Sequence, residues 1–166
     1  MVSCTPCPCL VEHAECPKRQ YSGDDSDQNK VRCGNLQQAH ARRYVGKCLN
    51  KNIPGYLENP RTSRFWKLPW VLRLVAAGRA QLVDFDMCQY GTQWRKPTRL
   101  LVWNVPTTIE LLRCSGKQGL CSRTHKPHLL LSGVAKGRFL TAAAQVYPPA
   151  FATALKHICC PLCHPP

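Results

Sequence analysis

The strongest constraint on the fold is a succession of short strand-like and helix-like segments in the middle of the chain. A short apolar strand over residues 55–57 ends at Glu58. The stretch TSRFWKLPWVLRLVAAG then has helical spacing, which Pro69 breaks into two pieces before Gly78 stops it. AQLVDFD and TRLLVWN have the composition of two further strands. Together with a preceding helix, this order of elements predicts an α/β sheet.

Helical patterns flank this central part on both sides. The stretch NLQQAHARRYVGKCLNKN, which starts at Asn35, places apolar residues three and four positions apart, and a closing helix begins at Pro149. Residues 1–30 are rich in Cys, Pro, Asp and Ser and show no regular period. We therefore expect an irregular segment at 1–30, a folded domain at 31–158 and a Cys-rich tail at 159–166.

The charge distribution favours a polyanionic partner. Five of the nine acids lie before residue 28, whereas 21 of the 23 basic residues follow it, and no acid follows Glu110. A strongly positive surface attracts nucleic acid, although a solvated basic face without a partner is the alternative. No segment approaches the roughly 18 apolar residues of a membrane span, so we expect no membrane partner.

The chain contains twelve cysteines, which suit either disulfides or metal binding. Its first residues, MVSCTPCPCL, lack the charged start and the apolar stretch of a signal peptide. We therefore expect an intracellular, reducing location, either nuclear or cytoplasmic. Thiols in that setting are structural, metal-binding or catalytic.

The segment CSGKQGLCSRTHKPH is a Cys/His-rich loop without apolar periodicity. Its candidate metal ligands are Cys114, Cys121, His125 and His128. Thiolates and imidazoles suit tetrahedral zinc, and a metal would order a loop that has no core of its own. Unliganded side chains are the alternative. A second and weaker set of candidate ligands comprises Cys159, Cys160, Cys163 and His164.

Another candidate site starts at Glu58, a carboxylate at the carboxyl end of a predicted strand, where α/β sheets bind ligands. A helix cap or an ion pair is the alternative role for this residue. Further along, YGTQWRKPTRLLVWN sets cations beside indole rings, a mixture that binds phosphates and stacks on bases. A basic edge strand is the alternative. The candidate DNA-binding residues are Trp94, Arg95, Lys96 and Arg99.

These two motifs, in this order, resemble the DNA cytosine-5 methyltransferase family, and most closely its phage and mobile-element members with a Glu-Asn-Pro motif. In that family a strand-end Glu-Asn pair precedes a Tyr-Gly-x-Pro-x-x-Arg-x-Arg segment that enters the next strand. Glu58-Asn59 matches the first motif, and Tyr90 to Leu101 is similar to the second. The resemblance covers roughly residues 31–158.

The chain departs from the family pattern at several positions. Gln93, Lys96 and Thr98 stand where the second motif has proline, arginine and arginine. Tyr147-Pro148 stands where many members have a Gly-Asn pair near the cofactor. The departures bear on DNA binding and on cofactor contact, respectively.

The resemblance implies a partial Rossmann-like sheet of the S-adenosylmethionine-dependent methyltransferase type. It also implies a nucleophile, and Pro6-Cys7 is similar to the family's Pro-Cys dipeptide. In the family's chemistry a cysteine thiolate adds to carbon six of a flipped-out cytosine while the glutamate hydrogen-bonds the ring, and carbon five takes the methyl group. The implied catalytic residues are Cys7, Glu58 and Asn59, and the implied cofactor is S-adenosylmethionine.

Family members begin with a strand and a Gly-rich turn that hold the cofactor, and nothing before Cys7 has room for them. We therefore expect a fragment whose amino-terminal strands are missing and whose exposed sheet needs a complementing subunit or a homo-oligomer. Such a fragment transfers methyl groups only when the cofactor half is supplied. The alternatives are a non-catalytic basic nucleic-acid-binding module with a structural zinc loop, or an inactive remnant.

Overall fold

A computed structural model describes residues 26–105, 109–135 and 137–159 of the chain. The chain divides into two compact units between Lys47 and Cys48. Within the described ranges, no helix is both long enough and apolar enough to cross a membrane. The predicted nucleophile Cys7 and the tail beyond Cys159 lie outside these ranges.

The first helix, α1, spans Ser26–Asn50. It begins well before Asn35, the start that the apolar spacing predicts. The spacing missed the first turns of the helix because their residues are polar. The last residues of the predicted irregular segment therefore belong to a helix. Asn52, two residues after the end of the helix, has a positive φ of 53°, a conformation that asparagine tolerates better than most residues.

Three strands form the main sheet in the order β1-β3-β2. They are β1 (Gly55–Pro60), β2 (Ala80–Asp86) and β3 (Pro97–Trp103), and β3 is antiparallel to both neighbours. The α/β class is thus confirmed. The Rossmann-like methyltransferase sheet is not confirmed, since such sheets are mostly parallel and both strand pairs of the described sheet are antiparallel.

The antiparallel return of β3 follows from the length of its connection. Residues 87–96 link it to β2, and they contain one 3-10 turn, Met87–Tyr90, whereas a parallel neighbour needs a crossover of a dozen or more residues. The outer strands β1 and β2 are parallel to each other and are joined through α2 (Pro69–Ala76). The sheet therefore contains a split β-α-β unit with β3 inserted between its strands.

The segment between β1 and β2 agrees with the sequence pattern. Its first piece is a 3-10 turn, Arg64–Lys67, at whose start the Ser63 hydroxyl accepts a hydrogen bond of 3.2 Å from the Phe65 amide. Pro69 then occupies the first turn of α2, where a missing N–H costs little. Gly78, with a φ of 64°, follows the helix.

The first strand is longer than its apolar residues indicate. It continues through Glu58 to Pro60, and these two residues lie opposite Leu100 and Thr98 of β3. A proline is tolerated at the end of an edge strand, where its missing N–H interrupts no ladder. Glu58 is thus within the strand, near its carboxyl end, and not after it.

One face of the sheet packs against α3 (Pro149–Cys159). The rings of Phe85 and Phe151 stack with centroids 4.5 Å apart. Each fully buried large apolar side chain contributes about 1.5–3 kcal/mol. The buried residues of this core are Val83, Phe85, Met87, Tyr90, Leu100, Val102, Phe151 and Leu155.

The opposite face of β3 presents Arg99, Leu101 and Trp103, since successive side chains of a strand alternate between faces. Trp103 is buried beside Gly55, where a Cβ atom would lie 2.6 Å from the ring carbon Cζ2. Glycine is therefore required at the start of β1. A small hairpin, β4 (Val134–Ala135) and β5 (Arg138–Phe139), precedes α3.

Candidate metal centre

Four side chains that commonly bind metals come together beside the carboxyl end of β2. Their ligand atoms, three thiol sulfurs and an imidazole nitrogen, all lie within 4.8 Å of one another. In a tetrahedral zinc site, Zn–S bonds of about 2.3 Å place two sulfurs about 3.8 Å apart. The group therefore has the size and chemistry of a zinc site. Its members are Cys88, Cys114, Cys121 and His128.

The ligands come from two parts of the chain. Cys88 lies in the 3-10 turn that follows β2, and the other three belong to the segment Cys114–His128, which we call the metal loop. Within this loop, the Cys121 amide donates to the Lys126 carbonyl at 2.9 Å and the His125 amide donates to the Cys121 carbonyl at 2.8 Å. This compact turn brings the chain back so that His128 reaches the thiols.

Three of the four predicted ligands, Cys114, Cys121 and His128, are brought together. His125 is exposed and has a positive φ of 57°, and it is not in the group. Cys88 is the fourth member of the group. Sequence reasoning missed Cys88 because a distant cysteine after a strand carries no spacing motif. Residues 109–112, which follow β3 and run back along β2 to the Asp86 amide, bring the metal loop beside it.

Hydrogen bonds from nitrogen surround the sulfurs. The Gln89 side-chain amide lies 3.6 Å from the Cys88 sulfur and 3.8 Å from the Cys121 sulfur. The Ser122 amide donates to the Cys114 sulfur at 3.4 Å. The His128 Nε2 atom lies 3.6 Å from the same sulfur, so Nε2 is the ring nitrogen that faces this thiol. Donors of this kind orient thiolate ligands and stabilise their negative charge.

The three thiols differ in acidity. Burial raises the pKa of Cys88 to about 12. Burial also opposes ionisation of Cys121, but hydrogen bonds from the backbone of Thr124 and Arg123 outweigh it and lower its pKa to about 7. The pKa of Cys114 is also lowered, because hydrogen bonds with Ser122 outweigh the effect of burial. Because zinc binds thiolates, its binding must release the proton of Cys88.

The cations of the predicted DNA-binding loop are engaged within the fold. The Arg95 Nε atom donates to Asp86 Oδ1 at 3.0 Å, and the Arg99 Nη2 atom donates to Asp84 Oδ2 at 2.9 Å. The Trp94 Nε1 atom is buried and has no hydrogen-bond partner among the described residues. The Trp103 ring is buried in the sheet, so it cannot stack on a base.

The Glu58 carboxylate also has partners within the fold. The Tyr147 hydroxyl donates a hydrogen bond to Glu58 Oε2, and Lys96 Nζ lies 3.8 Å from Oε1. Burial, helped by this hydrogen bond, raises the pKa of Tyr147, so the phenol keeps its proton. The neighbouring Asn59 lies opposite Arg99. Glu58 thus forms the ion pair that was one alternative for a strand-end acid.

The metal loop carries the more accessible positive charge. A run of cations begins immediately before Cys114 and continues through the loop, in a part of the chain that contains no acid after Glu110. The exposed members of this run are Arg113, Lys117, Arg123 and Lys126. The Arg123 Nε atom also donates to the Cys88 carbonyl at 2.7 Å, which ties the cationic surface to the metal ligands.

No protein-family model, no curated protein and no solved structure matches this chain.

Proposed function

We propose that this chain is a basic nucleic-acid-binding module that zinc stabilises, with DNA as its expected partner. The observation that carries the proposal is the convergence of three buried thiols and one imidazole within 4.8 Å. Cys88, Cys114, Cys121 and His128 would hold the ion. Four protein ligands leave no open position for a substrate, which is typical of structural rather than catalytic zinc.

Nucleic-acid binding is supported by what the metal loop exposes. With three thiolates and one neutral imidazole, the zinc centre carries a net charge of about −1. The Arg123 guanidinium lies beside it and offsets this charge, whereas the charge of Arg95 is balanced by Asp86. Lys117 and Lys126 remain exposed on the loop, where they are available to phosphate groups.

The test of this proposal compares two triple variants with the same loss of charge. One replaces Arg113, Lys117 and Lys126 with glutamine; the other replaces the exposed cations Arg64, Lys67 and Arg73 near α2. Arg123 is left intact because it contacts Cys88. The zinc content of both variants, measured by mass spectrometry, should remain at one ion per chain.

We expect the loop variant to bind duplex DNA at least tenfold more weakly at low salt. The slope of log affinity against log salt should fall by about 2–3, since each phosphate contact contributes about 0.9. The control variant should keep both its affinity and its slope. Equal losses in the two variants would show that DNA does not prefer the metal loop over other cationic surfaces and would overturn the proposal.

A methyltransferase fragment is the second candidate function. It is supported by the split β-α-β unit, which brings Glu58 near the carboxyl end of β1, where α/β sheets bind ligands. In this role the Glu58 carboxylate would give up its contacts with Tyr147 and Lys96 and hydrogen-bond the edge of a cytosine ring instead. S-adenosylmethionine would supply the methyl group. The contacts of Glu58 with Tyr147 and Lys96 therefore have to open first.

The second candidate is tested by transfer of labelled methyl from S-adenosylmethionine to duplex DNA. The intact chain is compared with Cys7→Ser and Glu58→Gln, and with Glu110→Gln as a control acid. Transfer that both active-site changes abolish and the control keeps would establish the enzyme. No transfer by the intact chain, together with salt-sensitive DNA binding, would leave the binding module.

A further inference from the structure

We propose that Asp86 and Arg95 are positioning residues that fix Cys114 in place for the metal, an inference that rests on the proposed zinc site. Neither side chain belongs to the ligand group. Both hold the residue at which the chain enters the metal loop. The geometry that supports this role consists of three hydrogen bonds and one close approach.

The first part of this geometry is a closed set of hydrogen bonds. The Arg95 Nε atom donates to Asp86 Oδ1 at 3.0 Å, and Arg95 Nη2 donates to the Cys114 carbonyl at 2.8 Å. The Cys114 amide donates to Asp86 Oδ2 at 2.9 Å. Both backbone polar groups of the ligand residue are therefore held by one arginine–aspartate pair. The Cα atom of Cys114 lies between these two groups, so its position is fixed.

Burial makes this arrangement specific. The Asp86 carboxylate is fully buried, and each of its oxygens accepts one of these bonds. A buried carboxylate that lost either donor would be poorly satisfied, so the pair favours one position of the loop. The backbone of Asp86 reinforces that position, because its amide donates to the Leu112 carbonyl at 3.1 Å.

Gly116 provides a second, independent observation. Its φ is 61°, and a Cβ atom on it would lie 2.2 Å from Arg95 Nη1. The arginine therefore crosses the loop in direct contact with the backbone two residues after Cys114. By contrast Gly119, in the same loop with a φ of 75°, has no atom within 4 Å of its Cβ position. Arg95 thus occupies the position that a side chain would take at Gly116, whereas the same position at Gly119 is empty.

The chain contains a matched control for this pair. Arg99 and Asp84 form a similar ion pair between β3 and β2, and the side chains of Arg95 and Arg99 are 30% and 27% exposed. The hydrogen bonds of the Arg99 pair join β3 to β2, and its carboxylate lines a groove together with Glu110 and Arg113. Arg99→Gln thus removes the same chemistry without touching Cys114.

The experiment measures zinc affinity of the full-length chain by competition with a chromophoric chelator. We expect Arg95→Gln to weaken zinc binding by about 10–100-fold, the usual effect of removing a residue that orients a ligand. Arg99→Gln should remain within about twofold of the unsubstituted chain. Arg95→Lys should restore part of the affinity, because lysine supplies a charge but cannot form the two directed bonds.

A spectroscopic measurement separates positioning from general destabilisation. With cobalt in place of zinc, the thiolate-to-cobalt and d–d absorption bands report the ligand geometry. We expect these bands to shift or weaken in Arg95→Gln at saturating cobalt and to remain unchanged in Arg99→Gln. Unchanged bands and unchanged zinc affinity in Arg95→Gln would overturn the inference.

The glycine pair keeps the test decisive if Arg95→Gln does not fold. Both Gly116→Ala and Gly119→Ala strain a positive-φ position, but only the first displaces the arginine. We expect the first to weaken zinc binding at least fivefold more than the second; equal effects would overturn the inference. If the unsubstituted chain binds no zinc, the proposed metal site fails as well. If it binds zinc but no DNA, only the proposed function fails.

Discussion

In the sheet, β3 buries four consecutive side chains, Leu100 to Trp103, whereas in the metal loop the buried side chains are the cysteines at 114 and 121. The sheet is therefore ordered by the burial of apolar surface on both of its faces. The loop has little apolar surface to bury, and its hydrogen bonds either close its own turns or join it to residues outside the loop, as at Cys114 and Arg123. In the proposed zinc site, the metal would add to the loop the order that apolar burial gives to the sheet.

One small unit would thus combine two kinds of stabilisation, apolar burial in the sheet and the proposed metal in the loop. The sheet holds Asp86 at the end of β2 and Cys88 in the turn that follows it. Arg95 joins the metal loop to this end of the sheet, and the proposed metal would add a second connection through Cys88. If this division is correct, the two regions respond differently to metal removal and to core substitutions.

Removal of the metal should have the largest effect, and it should be confined to the loop. Structural zinc sites contribute about 10–16 kcal/mol of apparent binding free energy at neutral pH, which couples directly to the folding of their loops. After chelation, or in Cys121→Ser, we expect the amides of Cys121 and His125 to lose protection from hydrogen exchange. The amides of β3 should keep theirs.

Cys33→Ser is the control for this prediction, since Cys33 lies in α1 and outside the ligand group. It should retain one zinc per chain and the exchange pattern of the unsubstituted protein. Loss of protection in β3 on chelation would show that the sheet also depends on the metal, and the contrast between the two regions would then disappear.

Truncation of the core should have the opposite pattern. Phe151 is 1% exposed and stacks on Phe85, so Phe151→Ala should lower the free energy of unfolding by about 3–5 kcal/mol. Zinc affinity of the remaining folded protein should stay within about threefold. Urea unfolding and zinc competition measure the two quantities. Val146→Ala, at a side chain that is 75% exposed, should change neither.

A smaller loss is expected at the start of β1. A Cβ atom at Gly55 would lie 2.6 Å from Trp103 Cζ2, so Gly55→Ala should force the indole to move and cost about 1–3 kcal/mol. Gly46→Ala is the matched change in α1, where nothing lies within 4 Å and alanine favours the helix. Urea unfolding that gave equal results for the two variants would contradict the packing of Trp103.

The elements of this fold were predictable because their sequences are locally consistent. The segment AQLVDFD forms β2 over its full length, and Pro69 and Gly78 delimit α2 as their backbone preferences require. The start of α1 was not predictable from apolar spacing because its first turns are polar. The direction of β3 follows from the length of the connection over residues 87–96, which is too short for a parallel crossover.

The candidate site was predictable only in part, for a different reason. Cys114, Cys121 and His128 stand close in sequence, so their chemistry could be grouped before the fold was known. Cys88 joins them through tertiary structure alone. Likewise, the basic character of Arg95 and Arg99 was evident, but their aspartate partners depend on the pairing of β2 with β3. Composition therefore locates charge, and topology decides whether that charge is available to a ligand.

The smallest effect should come from the ion pair on the sheet surface. Hydrogen bonding to Arg99 holds the pKa of Asp84 below its ordinary value of 3.8. The ionised carboxylate is thus bound better in the folded state. Its contribution is fully present above the unfolded pKa of about 4 and is lost as the pH falls through the lower folded value.

Asp84→Asn should therefore reduce the free energy of unfolding by about 0.2–1 kcal/mol at pH 7, as is typical of partly exposed pairs. The difference from the unsubstituted protein should shrink as the pH falls below about 4, since the carboxylate is then protonated in both states. Urea unfolding at pH 7, 4 and 3 measures it, and comparing the two proteins at each pH cancels any loss of zinc. A difference that grew towards acid would mean that Asp84 is not stabilised by Arg99.

Asp86→Asn, at the buried carboxylate, should reduce the free energy of unfolding by more at pH 7. It should also weaken zinc binding, because the Asp86 carboxylate holds the Cys114 amide.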